Sequence, residues 1–262
     1  MTQKLIIGWL YPEFMSTYGD RGNVLVLKKR CEWRGVECNI LPIDFSIKTA
    51  DLTSVDIFFG GGAQDRQQTL IMSDLKKRIG PVMKDMIENG TPGLFVCGSP
   101  QLLGTSYTTG DGTVLEGVGL FDIETKHFGY TKPRCVGNMI FEINSSYGVS
   151  GIPFKKTIVG FENHGGRTYL RSSDKSFGKI IIGFGNNAED KTEGVVKENC
   201  IATYSHGPFL SKNPHIADWL IHQAMKQKYN KTIRLKKLDD GLEWKAHEYM
   251  LKRMGYEEVT PI

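Results

Sequence analysis

Cys97 ends a short apolar run, Gly93-Leu94-Phe95-Val96, and is followed at once by Gly98-Ser99-Pro100 before Gln101-Leu102-Leu103 resumes an apolar pattern. A strand that stops on a thiol, a sharp turn of small residues and a new helix would lift the side chain out of a sheet. The same geometry aims the start of the helix at it, an arrangement that suits a nucleophile. A buried structural cysteine at a strand end fits this segment equally well. Roughly a hundred residues on, Cys200-Ile201-Ala202-Thr203-Tyr204-Ser205 is a second apolar run, closing on His206-Gly207-Pro208. In a parallel sheet the carboxyl ends of the strands share one edge, so Cys97 and His206 can meet there as thiolate and general base. A third run, Val55–Phe59, closes on Gly60-Gly61-Gly62. Three glycines permit close approach of backbone to ligand, and their amides can face the oxyanion that forms when Cys97 attacks a carbonyl. Taken alone the triplet is also an ordinary turn, and no phosphate-cradling Gly-x-x-x-x-Gly-Lys-Ser/Thr occurs anywhere in the chain.

The elements that must position these residues alternate. The pattern predicts strands at 4–10, 37–41 and 55–59, with a helix near 22–34 between the first two. Apolar residues at helical spacing (Leu75, Ile79, Val82, Met83, Met86, Ile87) predict a helix over 74–88. This rhythm implies a mostly parallel sheet with helices on both faces. After Thr125 the texture changes: predicted strands at 136–143, 157–162, 179–184 and 199–204 with glycine-rich connections suggest antiparallel additions. A late helix over 218–228 covers the sheet. Residues 231–262 form a charged tail whose embedded Leu242, Trp244, Tyr249, Leu251 and Met254 predict a surface helix, docked on its own domain or on a partner. The chain therefore reads as one domain over 1–230 plus this tail.

Six segments carry a resemblance. Phe58-Phe59-Gly60-Gly61-Gly62, Val96-Cys97-Gly98 with Gln101, and Tyr204-Ser205-His206-Gly207-Pro208 resemble class I glutamine amidotransferase domains of flavodoxin-like α/β fold. The branch is the cobyric-acid-synthase-like one, whose histidine precedes Gly-Pro. Tyr18-Gly19-Asp20-Arg21-Gly22-Asn23, Gly160-Phe161-Glu162-Asn163-His164-Gly165-Gly166-Arg167-Thr168 and Gly183-Phe184-Gly185-Asn186-Asn187 are similar to the glutaminase subunits of lipid II isoglutaminyl synthases. The resemblance implies a glutaminase that hydrolyses glutamine through a cysteine thioester. It implies a heterodimer with a Mur-ligase-like subunit (MurT) that uses the ammonia to amidate D-glutamate of the lipid-linked stem peptide. ATP and Mg would belong to that partner, and no cofactor is expected in this chain.

Site residues follow from the same resemblance. Cys97 and His206 would be catalytic, and the amides of Gly62 and Gly98 would hold the oxyanion. Arg134, Gln101, Gly61 and Gly165 would bind substrate. For Arg134 there is a separate physical case, since a guanidinium reads the α-carboxylate of free glutamine bidentately; a solvated arginine before a strand fits the position too. Two departures stand out. Gly98-Ser99-Pro100 replaces the usual Gly-Gly-aromatic after the nucleophile, although proline is tolerated in a helix's first turn. The usual acid two residues past the histidine is missing, so the group that orients His206 comes from elsewhere in the chain or from a partner. Cobyrinate-type amidation, a non-catalytic scaffold and a cysteine peptidase are the other readings of these segments.

Composition is compatible. With 262 residues, 40% of them hydrophobic, the chain can bury a full core. A net charge of +4 without a Lys/Arg run argues against a nucleic-acid partner. The first ten residues read as a strand rather than a signal peptide. Five cysteines without a Cys-x-x-Cys suggest neither a disulfide framework nor a zinc site. A cytoplasmic protein is expected, reaching the inner membrane face through its lipid-linked substrate.

Overall fold

The computed structural model describes residues 3–129, 131–144, 147–171, 175–230 and 233–257. Its first half is built from β1 (Lys4–Leu10), α1 (Arg21–Glu32), β2 (Glu37–Ile43), β3 (Ile57–Gly60), α2 (Asp65–Asp74), α3 (Gly80–Glu88), β4 (Gly93–Val96) and α4 (Gly98–Leu103). Short strands β5 (Ser106–Thr108), β6 (Val114–Glu116), β7 (Ile123–His127), β8 (Cys135–Ile143), β9 (Thr157–His164), β10 (Gly166–Leu170) and β11 (Gly178–Ile182) follow. The chain closes with β12 (Thr192–Glu193), β13 (Val195–Lys197), β14 (Cys200–Thr203), α5 (Pro214–Tyr229) and α6 (Gly241–Arg253).

The main sheet has the order β13-β14-β4-β3-β1-β2, and all its pairings are parallel except β13 with β14. From β1 the chain passes first to β2 on one side, then to β3, β4 and β14 on the other. The crevice at such a reversal is where open parallel sheets place their sites. Alternation along the buried strands sorts the core into two layers. Leu5, Ile7, Ile57, Phe59, Leu94, Val96 and Ile201 point to α1 and α5, while Phe58, Phe95 and Ala202 point to α2 and α3. This is the α/β architecture with helices on both faces that the rhythm predicted. The additions are two further four-stranded sheets: β12-β11-β8-β9 is antiparallel as expected, whereas β10-β7-β5-β6 is mixed, β5 and β7 pairing in parallel.

Two differences from the sequence reading have physical causes. The helix predicted over 74–88 is the second part of a longer run that begins at Asp65, joined by a π-type turn at Leu75–Ile79. Pro81 has no N–H to give the preceding turn, and the widened turn sits directly before it. The polar start, Asp65-Arg66-Gln67-Gln68, hides the earlier part because only Gln68, Ile71 and Met72 face inward there. Strands β5, β6, β7 and β10 are short and carry polar residues (Ser106-Tyr107-Thr108, Ile123-Glu124-Thr125-Lys126-His127), so no apolar run or clear alternation predicts them.

The C-terminal helix docks on its own domain. Leu251 of α6 packs with Ile140 of β8 and Val159 of β9, whereas Leu242 and Tyr249 of the expected stripe stay exposed. Residues 231–232 and 258–262 of the tail lie outside the described residues. A buried ionic cluster fixes the helix start: Arg30 of α1 donates to Asp218 of α5 (2.7 and 2.8 Å) and to Asp240 at the cap of α6 (2.6 and 3.0 Å). Arg34 adds a bond of 2.7 Å to Asp218. Removing one partner of a buried ion pair strands the other charge, which costs about 3–5 kcal/mol. Arg30→Ala is therefore expected to lose about 3 kcal/mol of unfolding free energy in a denaturant titration. It should also expose α6 to limited proteolysis before the rest of the chain.

Candidate functional site

Cys97 sits between β4 and α4 with φ 52° and ψ −96°, a left-handed backbone conformation unusual for a side chain with a Cβ. Such strain persists only where surroundings impose it. Here the Cys97 amide donates to the Thr203 carbonyl of β14 at 2.9 Å, and the Ser99 hydroxyl donates to the Gly61 carbonyl at 2.7 Å. Ser99 and Pro100 thus sit inside the first turn of α4 without disturbing the elbow. A side chain at Gly98 would place its Cβ 2.6 Å from the Ala63 nitrogen, so only glycine allows the two backbone segments to abut.

His206 follows β14 and is fully buried. Its backbone pairs with Phe161 of β9 (His206 N to Phe161 O, 2.7 Å), which ties the antiparallel sheet to the edge of the main one. Its Nδ1 lies 3.0 and 3.1 Å from the two carboxylate oxygens of Asp20, and Nε2 is left without a formed hydrogen bond. Burial alone would lower the pKa of this imidazole. The negative charges of Asp20 and Cys97, with the hydrogen bond to Asp20, outweigh it and push the value from 6.5 up to about 10. Asp20 is the acid missing from the position after the histidine. It lies in the Tyr-Gly-Asp-Arg-Gly-Asn segment, which the sequence marks only through a resemblance. The neighbouring Tyr18, also at positive φ (52°), sets its ring edge against His206 at 5.0 Å.

Gly61 and Gly62 are engaged within the protein. The Gly62 amide donates to Asp20 Oδ2 at 2.7 Å, so it is committed to orienting the acid rather than free for an oxyanion. Gly61 lies behind the wall, its carbonyl holding Ser99. The cavity wall at this point is Ala63, whose amide has no acceptor among the described residues. The Gly98 amide is at the N-terminus of α4, where helix geometry offers it no internal acceptor.

Cys97 and Ala63 face a cavity of about 420 Å³, lined also by Gln101, Arg134, Gly165, Tyr18, Asp65, Gln68, Tyr107 and His127. Arg134 is held by Asn163, which accepts from Nε (3.1 Å) and Nη2 (2.9 Å). Gln101 accepts from Gln68 Nε2 at 2.8 Å and donates to the Tyr204 hydroxyl at 3.2 Å, so it acts as a braced part of the wall. Gly165 lies flush on His127: a Cβ there would come within 2.0 Å of the ring nitrogen Nε2.

The most distinctive sequence segments prove to be scaffolding. Glu162 accepts from the amides of Phe184 (2.7 Å) and Gly185 (3.0 Å), while Asn186 and Asn187 bond to the backbone of Gly194 and Thr168. Arg167 donates to the Pro133 carbonyl at 2.6 Å, just before Arg134. His164 is buried and stacked on Tyr204 with ring centroids 3.8 Å apart; burial lowers its pKa, and it props the wall. Behind β14, Glu193 accepts from the Thr203 hydroxyl and the Tyr204 amide. Burial, opposed by the Thr203 bond and aided by the Glu162 charge, pushes it up to about 7. Among the described residues no cluster of His, Cys, Asp and Glu could hold a metal ion, and no helix is long and apolar enough to cross a membrane.

Known proteins resemble this chain in sequence and in fold. Residues 6–214 match the CobB/CobQ-like glutamine amidotransferase domain. The chain is 39% identical over 259 residues to the lipid II isoglutaminyl synthase (glutamine-hydrolyzing) subunit GatD of Staphylococcus aureus (strain N315), covering 98% of this chain and 99% of that protein. It is 37% identical to the subunit of the same name from Streptococcus pneumoniae (strain ATCC BAA-255 / R6), with 94% and 90% covered. A cobyrinate a,c-diamide synthase of Archaeoglobus fulgidus is 28% identical over 70% of this chain but only 38% of its own length. Among solved structures, PurLQS from Thermotoga maritima (TM-score 0.57, 14% identity, 88% of this chain and 100% of that one) and a glutamine amidotransferase (TM-score 0.56, 13% identity, 83% and 98%) share the fold.

The Asp20–His206 pair makes a thermodynamic prediction. A histidine whose pKa is raised by folding contributes stability that is fully present below its unfolded value, near 6.5, and is lost as pH rises through about 10. Asp20→Asn removes the larger of the two raising charges and leaves burial to push the other way. An NMR titration should then find the His206 ring deprotonating near or below pH 6.5 instead of about 10. The stability gap between native and variant protein should be widest in acid and close in alkali.

Proposed function

This chain belongs to the CobB/CobQ-like glutamine amidotransferase family, and from that premise we propose a mechanism in which it splits glutamine through a thioester on Cys97. His206 holds the thiol proton, stabilised as imidazolium by Asp20, and the Cys97 sulfur attacks the side-chain amide carbon of glutamine. The amides of Gly98 and Ala63 receive the oxyanion, each worth roughly 3 kcal/mol in comparable sites. His206 then passes its proton to the departing nitrogen, ammonia leaves, and water attacks the thioester to release glutamate and restore the thiol. The raised pKa, about 10, depends in part on the Cys97 charge; once the sulfur is bonded to carbon that charge is gone, and the imidazolium becomes the stronger acid that the leaving nitrogen needs. The observation that carries the reading is the meeting of Cys97, His206 and Asp20 at one sheet edge, beside a cavity with Arg134 on its wall.

The ammonia has an acceptor elsewhere. We infer that it passes to a Mur-ligase-like subunit (MurT) that activates D-glutamate of the lipid II stem peptide with ATP and Mg and converts it to D-isoglutamine. The support is near-full-length likeness to two subunits named for lipid II isoglutaminyl synthase, against partial coverage of the cobyrinate enzyme. The pair would work in the cytoplasm, at the membrane face where the lipid-linked substrate lies.

Two experiments test this reading. Co-expression with a Mur-ligase-like subunit should yield a stable heterodimer that amidates lipid II with glutamine and ATP. Failure to assemble, or amidation of a corrinoid acid instead, would refute the partner. Within that heterodimer, Cys97→Ala should remove more than about 10³-fold of ammonia release while leaving the melting temperature almost unchanged. A glutamine-like chloroketone should label Cys97 and spare the cysteines at 31, 38, 135 and 200, none of which lines the cavity. Arg134→Lys should raise KM for glutamine about tenfold, since lysine keeps the charge but loses the two-pronged contact, and Arg134→Ala should raise it further. Unchanged KM in both would leave the carboxylate to another group.

A further inference from the structure

The mechanism uses the amide end of the substrate, and Arg134 accounts for its carboxylate. Nothing so far receives the α-ammonium group, although free glutamine carries one on the same carbon as the carboxylate. Among the described residues that line the cavity, Asp65 has the one carboxylate; Arg66 and Arg134 bring positive charge. Asp65 is the first residue of α2 and only half-buried. Its Oδ1 accepts from the Tyr107 hydroxyl at 2.7 Å and its Oδ2 from the Gly110 amide at 2.9 Å. Both bonds fix the direction of the group and consume only two of the roughly four acceptor positions of a carboxylate.

A second acceptor lies one helical turn on. Gln68 is three residues from Asp65 on α2, so the two share a face of the helix. Its Nε2 donates to the Ala63 carbonyl (3.0 Å) and to Gln101 Oε1 (2.8 Å), which fixes which end of the amide is oxygen. That oxygen, in a residue only 1% exposed that also lines the cavity, has no partner. A buried, unsatisfied carbonyl costs free energy unless something fills it, and here it borders the substrate space.

The two acceptors stand on the same rim as the arginine. Gly110, bonded to Asp65, packs against His127, since a Cβ placed there would lie 3.4 Å from Asp65 Oδ2 and 3.3 Å from His127 Nδ1. His127 in turn lies against Gly165, and Asn163 two residues earlier holds Arg134. One wall therefore carries an anion, a flat ring and a cation in succession.

We propose that Asp65 and Gln68 bind the α-ammonium of L-glutamine and make the site specific for the free amino acid. They would exclude glutamine whose nitrogen is acylated or in a peptide bond. The proposal rests on the glutaminase reading above and deepens it. Sites built to satisfy a substrate's donor reject analogues that lack it far more strongly than apolar pockets reject a missing methylene, because their own polar groups are left unpaired.

The test compares L-glutamine with glutaramic acid, which has the same amide and carboxylate but hydrogen in place of the ammonium. Both are assayed with the heterodimer. Native protein should prefer L-glutamine by at least about 10²-fold in kcat/KM. Asp65→Asn should lower kcat/KM for L-glutamine by more than about tenfold, mainly through KM, and leave glutaramic acid nearly unchanged, so that the preference collapses. Tyr107→Phe, which keeps the carboxylate and removes one of its struts, should retain the preference. Should Asp65→Asn fail to fold, Asp65→Glu asks the same question, again with the loss confined to L-glutamine. Equal losses on both substrates would make Asp65 a mere brace for residues 107–110, and an undiminished preference would place the ammonium elsewhere; either overturns the proposal. Turnover of neither substrate by native protein would instead defeat the glutaminase reading itself.

Discussion

One buried carboxylate organises the catalytic edge of this sheet. Asp20 is inaccessible to solvent, reaches His206 with both oxygens and takes the Gly62 amide with one of them. Three segments that leave different strands, after β1, β3 and β14, are therefore held to a single charge. A carboxylate so placed would be costly without its partners, and each partner gains by it: the amide is satisfied and the imidazole is kept protonated and aimed. Without this carboxylate the histidine would be a neutral ring in an apolar environment, and the strained turn at Cys97 would face no charged partner.

How much of this could be read from the residues alone depends on how local the signal is. Cys97 and His206 each end a run of buried β residues on a side chain followed by glycine, a pattern that needs only a handful of neighbours. Asp20 has no such pattern. It sits in an irregular loop, and its partner is 186 residues away, so neither periodicity nor spacing could join them. The glycine triplet does mark a place where backbone approaches the Cys97 turn, yet which amide faces the cavity is decided by one peptide's orientation. Asp20 turns the Gly62 amide away and leaves Ala63 at the wall. Asp65 and Gln68 are hidden for a third reason: a polar first turn looks like loop until the apolar face behind it is known.

The segments most characteristic of the family illustrate the converse. Glu162, Asn163, His164, Arg167, Asn186 and Asn187 hold loops, struts and one another, and of these only Asn163 bonds to Arg134. A polar group buried among other polar groups must match donors to acceptors throughout, so a change at one position strands its neighbours. Such networks tolerate little substitution, which makes them conspicuous in a sequence without making them reactive. Chemistry here needs few side chains; keeping them in place takes many.

The bridge between His206 and Phe161 sets an order in time. During synthesis the acid at position 20 and the thiol at position 97 emerge first, and β14 cannot pair with β4 until residues 200–203 have appeared. At ordinary translation rates the interval between Asp20 and its histidine is roughly 10–40 s. Throughout that interval the growing chain has a cysteine with no base and a carboxylate with no imidazole. On the mechanism proposed above, the nascent protein is thus inert toward its own substrate. Competence arrives in one step, when the last strand of the sheet closes.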